Sequence, residues 1–375
     1  MRLFYFLSVI FFILTIITGI FMFIGYKIYP NKLLFFIVPT IGYFPLIGII
    51  FGRLYKSSNL EIFTGHFLFY YNNMILISIF LLIVYLLGQT LNKDLFYFLS
   101  NKKKTFTLFT ILFFIILAII GRSNFTNIKK EYFNISFDEE IPNSTLKLGF
   151  ISDLHLNSVF NGDSLDRVLE KMTDDKVDLV LIGGDFVDND PYRINDNIKK
   201  IISKYNFPKG IYSILGNHEY YGGIDRNIDF IKDSGIKLLR DDILTINNIN
   251  IIGRDDKTNI NRKNLKSLLN KIEDPHIIVL DHNPKSIKES LKNNIDLHLG
   301  GHTHNGQLFP INHLVNYLNL NGYGYKKINK THTIVSSGLG TWMIPYRIKS
   351  KSEYIIIDID YFYNPIPKKK RATHK

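Results

Sequence analysis

Four uncharged apolar stretches fill most of the first 122 residues, approximately Leu3 to Gly25, Leu33 to Gly52, Phe67 to Leu87 and Thr105 to Gly121. Each approaches the ~20 residues that a helix needs to cross ~30 Å of hydrocarbon. The pattern therefore predicts four membrane spans, with Lys104 and Arg122 snorkelling from the short fourth. A cleaved leader does not explain the first stretch, whose apolar run exceeds the ~7–15 residues of such segments and precedes three similar runs. No span interior carries an ionisable residue, the usual mark of a transport path, so residues 1–122 read as an anchor. Residues 123–145, with Asp138, Glu139, Glu140 and Pro142, are polar and aperiodic and read as a linker.

Beyond Leu146 the period changes. Short apolar runs, Leu146 to Ser152, Asp178 to Gly183, Gly210 to Leu215, Ile277 to Leu280 and Ile295 to Gly300, predict buried strands. Amphipathic stretches between them, Asp163 to Met172, Asn195 to Tyr205, Ile224 to Asp233, Arg262 to Lys271 and Pro284 to Asn293, predict helices. Leu239 to Gly253, turning at Asn247-Asn248, reads as an inserted hairpin. The expectation is an α/β domain over residues 146–360, followed by a basic tail over 361–375.

Charge sharpens this division. The whole chain of 375 residues carries a formal charge of +12. Ten Lys/Arg against Glu61 and Asp94 lie in the first 122 residues, and five of the remaining basic groups lie between Lys368 and Lys375. Without that tail the soluble part is near neutral, which excludes a general nucleic-acid binder and leaves the tail to solvent or anionic lipid. The Lys/Arg of the short loops divide six against six between the two sides, so the positive-inside rule leaves the orientation open. The density of Lys102 to Lys104 leans toward an extracytoplasmic domain. With no cysteine in the chain, thiolate metal sites and a Cys nucleophile are excluded, and any metal must be held by His, Asp, Glu or Asn.

The chemistry lies where the strands end. The five predicted strands lead into Asp153-Leu154-His155, Gly183-Gly184-Asp185, Gly216-Asn217-His218-Glu219, Asp281-His282-Asn283 and Gly301-His302-Thr303-His304. Ligands of open α/β sheets bind outside the carboxyl ends of the strands, so the five clusters should converge. Alternation lets Asp153 and His155 serve one centre together, as can His302 and His304. Taken singly, each block has a plain structural reading: polar turns for the first two, a helix cap at Asn217, a capping turn at His282. All five in order, each at a strand end, do not read as turns.

These blocks resemble the calcineurin-like metallophosphoesterase superfamily over roughly Leu146 to Ile359. Gly338-Leu339-Gly340-Thr341, Pro345, Arg347 and Glu353 resemble the closing segment of its bacterial membrane-associated branch. Asn305 and Ser337 depart from that branch, which usually has glycine and often arginine there. The resemblance implies a four-layer αββα sandwich. It also implies a first metal on Asp153, His155, Asp185 and His304, and a second on Asp185, Asn217, His282 and His302, with Asp185 bridging. Two such ions share a hydroxide that attacks phosphorus, and His218 protonates the leaving oxygen as general acid. Four imidazoles with carboxylates suit Mn, Fe, Zn or Ni.

The expected activity is hydrolysis of a phosphate ester or pyrophosphate by a multi-pass protein of the cell membrane. Its partners would be a phosphorylated small molecule or lipid-linked phosphate and the membrane lipids, and a nucleotide-diphospho-lipid pyrophosphate of the envelope is one concrete substrate. The alternative is a non-catalytic metal-binding scaffold of the same fold, which the intact set of ligands and acid disfavours. His298, inside the fifth strand, reads as a core histidine, and Asp255-Asp256 as a turn. Arg347 reads equally as a phosphate contact or a surface ion pair, and His66, His276, His313, His332 and His374 show no partner pattern.

Overall fold

The computed structural model describes residues 103–137, 146–157, 162–189, 191, 194, 197–272, 276–342 and 344–361, together with Phe63, Thr64, His66, Phe67 and Phe69. The first two apolar stretches, most of the third, and the tail beyond Tyr361 lie outside the described residues. Two compact units divide the chain: residues 1–126 with 341–348, and residues 127–340 with 349–375.

In the first unit, the fourth apolar stretch lies within helix α1 (Lys103–Thr126). Among the described residues no helix is long and apolar enough to cross a membrane. The end of α1 holds the returning chain: the Arg347 amide donates to the Gly121 carbonyl at 2.9 Å, and Asn124 Nδ2 donates to the Arg347 carbonyl at 3.1 Å. Arg347 is buried, so its reading as a surface ion pair does not hold.

The second unit is built on two six-stranded mixed sheets. The first contains β1 (Lys129–Phe137), β2 (Leu146–Ile151), β3 (Leu179–Ile182), β4 (Gly210–Ser213) and β5 (Lys237–Leu238). The second contains β6 (Asp242–Ile246), β7 (Ile249–Gly253), β8 (His276–Leu280), β9 (Leu297–Gly300), β10 (Gly324–Ile328) and β11 (Thr331–Val335). The last strand, β12 (Glu353–Tyr361), returns to the first sheet between β1 and β2. All five strands that carry the ligand blocks are present. The hairpin is β6–β7, turning through Asn247 and Asn248 at φ 49° and 61°, left-handed values that asparagine tolerates and a two-residue hairpin requires.

Alternation explains the layering. In β2 and β3, Leu146, Leu148, Phe150, Leu179 and Leu181 meet Ile249, Ile251, Ile278, Leu280, Leu297 and Leu299 of the other sheet. The opposite faces of the same strands, Ile151, Val180 and Ile182, pack on Leu165, Val168 and Leu169 of α2 (Asp163–Asp174) and on α3 (Asn197–Ser203). Strands buried on both sides read as near-continuous apolar runs, as β3 does throughout and β2 does apart from Lys147. Beyond the second sheet, Leu265 and Leu268 of a short helix cover Ile252 and Val279. The expected helix–sheet–sheet–helix sandwich is therefore the architecture of this unit.

The linker assignment needs correction. Residues 129–137 form β1, paired in parallel with β12 from Lys129–Glu353 to Phe137–Tyr361. Within Lys129–Phe137, Phe133, Ile135 and Phe137 alternate with Tyr132, Asn134 and Ser136, a period of two whose inward members close the core at the sheet edge. Two lysines and a glutamate at its start mask that alternation. The domain thus begins before Lys129 rather than at Leu146.

Candidate metal centre

Two loops lie side by side where β2 and β3 end. The Asp153, His155 and Leu156 amides donate to the carbonyls of Gly184, Asp185 and Phe186, each at 3.0 Å. This pairing brings the Asp153–His155 block against Asp185. Asp153, His155, Asp185, His302 and His304 all adopt φ between 49° and 72°, a left-handed conformation that non-glycine residues rarely take. Such strain persists where surrounding structure over-determines it and concentrates at functional sites. Asn305 is also left-handed at φ 49°, and asparagine is among the residues that adopt this conformation.

The donors fall into overlapping groups. Atoms of Asp153, His155 and His304 lie within 4.8 Å of one another, as do those of His155, Asp185 and His218, and those of Asp185, His282 and His302. His155 Nε2 faces His304 Nε2 at 2.9 Å, while His282 Nε2 lies 3.0 Å from Asp185 Oδ2 and 3.2 Å from His302 Nδ1. Asp185 is common to two groups and so is His155, so that these two residues link the three groups into one cluster. Asn217 is the first residue of α4 (Asn217–Tyr221), and Gly216 occupies the cap, so the capping role considered for Asn217 does not hold. Its Oδ1 is instead buried without a hydrogen-bond partner. An orphaned amide oxygen beside converging imidazoles and carboxylates fits a divalent cation, because burial without a partner costs ~1–3 kcal/mol that coordination would remove.

A second set of groups aims these donors, and the sequence patterns did not single it out. Asp188 Oδ1 lies 3.3 Å from His155 Nδ1 and 3.0 Å from His218 Nδ1, and the Asp188 carbonyl is 2.7 Å from the same His218 nitrogen. Burial disfavours ionisation of Asp188, but its hydrogen bonds and charge contacts with both histidines win and hold its carboxyl far below the usual range. His282 Nδ1 lies 2.8 Å from the Gly183 carbonyl, which turns Nε2 toward Asp185. Glu219, fully buried, accepts the amides of Asp185, Val187 and Gly216 at 3.1, 3.0 and 2.7 Å. Burial, reinforced by the Asp185 charge, pushes the Glu219 carboxyl up to about 7. Outer groups of this kind fix tautomer and ring orientation. The only signals for them in the sequence are Asp188's place three residues after Asp185 and Glu219's place beside His218.

The electrostatics follow from this crowding. Burial opposes charge on His218, yet Asp185 and Asp188 prevail and its pKa is pushed up to about 9. His282 is likewise raised well above the ordinary value, its burial outweighed by Asp185. Its neighbour His302 is lowered to about 4 by burial and by the His282 charge. Gly216 permits the approach of its loop, since a methyl there would run into Asp185 Oδ1.

The remaining candidates have structural partners. His298 is buried and its Nδ1 pairs with Ser290 Oγ at 2.8 Å, as expected of a core histidine. Asp255 is bound by Arg240 Nε at 2.7 Å and Asn259 Nδ2 at 2.7 Å, so the Asp255-Asp256 pair belongs to a buried turn network. His66 meets the Tyr346 hydroxyl, His276 stacks on Phe137, His313 packs edge-on to Phe309 and His332 meets the Tyr325 hydroxyl. His374 lies outside the described residues.

Residues 146–306 match a family model described as calcineurin-like phosphoesterase. An uncharacterised metallophosphoesterase of Aquifex aeolicus is 31% identical over 231 residues, which cover 59% of this chain and 88% of the relative. One from Helicobacter pylori is 35% identical over 216 residues, covering 56% of this chain and only 58% of that relative's length. A Danio rerio protein named transmembrane protein with metallophosphoesterase domain is 30% identical, covering 57% of this chain and 54% of that one.

Proposed function

Since this chain belongs to the calcineurin-like phosphoesterases, a family of metal-dependent phosphoric ester hydrolases, we propose that it hydrolyses a phosphate ester or pyrophosphate at a membrane. The observation that carries the reading is Asp185, a buried carboxylate shared between two groups of imidazole and carboxylate donors. One divalent ion would be held by Asp153, His155, Asp185 and His304, and another by Asp185, Asn217, His282 and His302. When bound, such a pair polarises a phosphoryl oxygen and lowers the pKa of water between the ions. The chain's own groups supply the rest. Asp188 and its carbonyl fix the His218 ring through Nδ1, so that the other nitrogen is the one able to deliver a proton to a leaving oxygen. Glu219 ties the Asp185 loop to the Gly216 turn and keeps Asp185 beside His282.

Membrane attachment is supported by the four apolar stretches and by the name of the Danio rerio relative. On this reading the protein is multi-pass, its spans anchor the domain rather than transport, and a lipid-linked phosphate is the favoured substrate class. The full chain, purified in detergent and loaded with Mn or Fe, is expected to hold two ions and to hydrolyse an aryl phosphate ester. Asp185→Asn should lose both, because two adjacent cations would lack their shared negative charge. Elemental analysis finding at most one ion at saturation overturns the two-metal reading.

A further inference from the structure

Between the metal centre and β10, helix α8 (Ile311–Leu318) follows α5 (Ile224–Asp233), α6 (Leu265–Leu269) and α7 (Ile287–Lys292) in the chain. It buries none of its residues. Its sides are nevertheless sharply sorted. On a helical projection Ile311, Leu314, Val315, Tyr317 and Leu318 occupy one continuous arc, and Asn312, His313 and Asn316 occupy the other. Tyr317 is 86% exposed, Leu318 61% and Leu314 55%, and Phe309 and Leu320 extend the apolar row at either end. Single exposed apolar side chains need no explanation, but a contiguous row rimmed by polar residues marks an interaction surface.

This row is fastened to the loop that carries two candidate ligands. His304 opens a short turn, and the amides of Leu308 and Ile311 then donate to the carbonyls of Gly306 and Leu308, carrying the chain directly into the helix. Gly306 lies so close that a methyl on it would run into the backbone of Asn312. Beyond the other end of the helix, Thr303 Oγ1 donates to the Gly322 carbonyl at 2.7 Å. The His302–His304 loop therefore holds the segment before and after the helix.

Charge indicates what covers the row. Between Asp296 and Glu353 the sequence contains no acidic residue. Lys326 and Lys327 are exposed on β10 and Lys330 in the turn after it, and Lys326 Nζ donates to the Leu320 carbonyl at 3.0 Å, beside the apolar row. Lysines on an edge strand also discourage strand pairing. Here they flank a short amphipathic helix in a stretch of sequence without acidic residues, the combination that seats a helix ~5–10 Å deep at an anionic bilayer surface.

We propose that the Phe309–Leu320 segment rests in the interface of an anionic lipid bilayer and turns the His302–His304 loop toward it, so that the site takes phosphate esters presented by the membrane. The insertion stands on the segment's own geometry, and only the substrate class rests on the phosphoesterase reading.

The chain lacks cysteine, so one introduced cysteine can carry a reporter. Full-length Tyr317→Cys, labelled with an environment-sensitive nitrobenzoxadiazole and reconstituted in phosphatidylglycerol–phosphatidylethanolamine vesicles, should shift its emission to the blue. Doxyl-labelled lipids should quench it several-fold more strongly than the same label at Ile260→Cys, a fully exposed position. Adding Leu314→Glu and Leu318→Glu should abolish the quenching while leaving hydrolysis of a soluble aryl phosphate unchanged. A blue shift without lipid quenching would place the helix against protein, either another part of this chain or a second copy, and overturn the proposal. Equal, weak quenching at both positions would overturn it too. Hydrolysis of the soluble ester reports separately on the catalytic reading.

Discussion

At the scale of single residues, one carboxylate braces two imidazoles. Asp188 touches both His155 and His218 through their Nδ1 atoms, which on the proposed reading leaves the opposite nitrogens for a cation and for a substrate. If His218 is the general acid, His218→Ala should keep its metal and lose ~10²–10⁴ in rate on esters with poor leaving groups. Esters with good leaving groups need little protonation and should lose far less. Equal losses on both, or loss of metal, would show that His218 has another role.

The effect on pH follows in sign. A histidine raised from 6.5 to about 9 stays protonated through neutrality, and the acid disappears as pH rises through that value. Asp188→Asn removes one of the two carboxylates that raise it, so the alkaline limb of the kcat/KM profile should move to lower pH. Because the same carboxylate also orients His155, metal affinity should fall by ~10–100-fold in that variant. An unshifted alkaline limb in metal-saturated Asp188→Asn would remove His218 as the titrating acid.

At the scale of elements, the boundary of the domain is the point where structure and sequence part. Ile135 and Phe137 are buried in the core between the sheets, so β1 is integral to the fold. Ile135→Ala should destabilise the domain by ~2–4 kcal/mol, the usual range for truncating a buried aliphatic side chain. A fragment starting at Leu146 should unfold at clearly lower denaturant than one starting at Asn127. Indistinguishable midpoints would return residues 129–137 to the status of a linker.

The strands that lead into the candidate ligands were legible because each is a mostly apolar run followed by Asp, Asn or His. Asp153 and His155 do fall in one donor group, whereas His302 and His304, two apart but on left-handed backbone, fall in different ones. Strand β1 was hidden because its charged first half covers a short alternation, and β5, β10 and β12 pair in orders that no local pattern announces. Asp188 and Glu219 were illegible as functional residues for a related reason. They act through hydrogen bonds to groups such as His155 and Val187 that only the paired loops bring within reach.

At the scale of the whole chain, helix α1 does more than connect. Helix α1 ends at Thr126 and β1 begins at Lys129, so only Asn127 and Ile128 join them. The same helix end also takes the returning segment 341–348 through Gly121 and Asn124, and Tyr346 stacks on Phe69 with ring centroids 4.0 Å apart. An anchor that only tethered would have no need to bind a segment close in sequence to the end of the catalytic domain. On the proposed anchor reading, residues 1–102 are thus separable, but α1 is not. Replacing residues 1–102 with an unrelated anchor of the same orientation should preserve two metals per chain and hydrolysis of a soluble ester, with some loss of stability from the lost Phe69 contact. Replacing Lys103–Thr126 instead should lower the thermal stability of the full chain, because Arg347 would lose both of its backbone partners on that helix. If the first exchange abolished hydrolysis in a folded, metal-loaded protein, the N-terminal spans would have to act in catalysis or transport, and their reading as an anchor would be wrong.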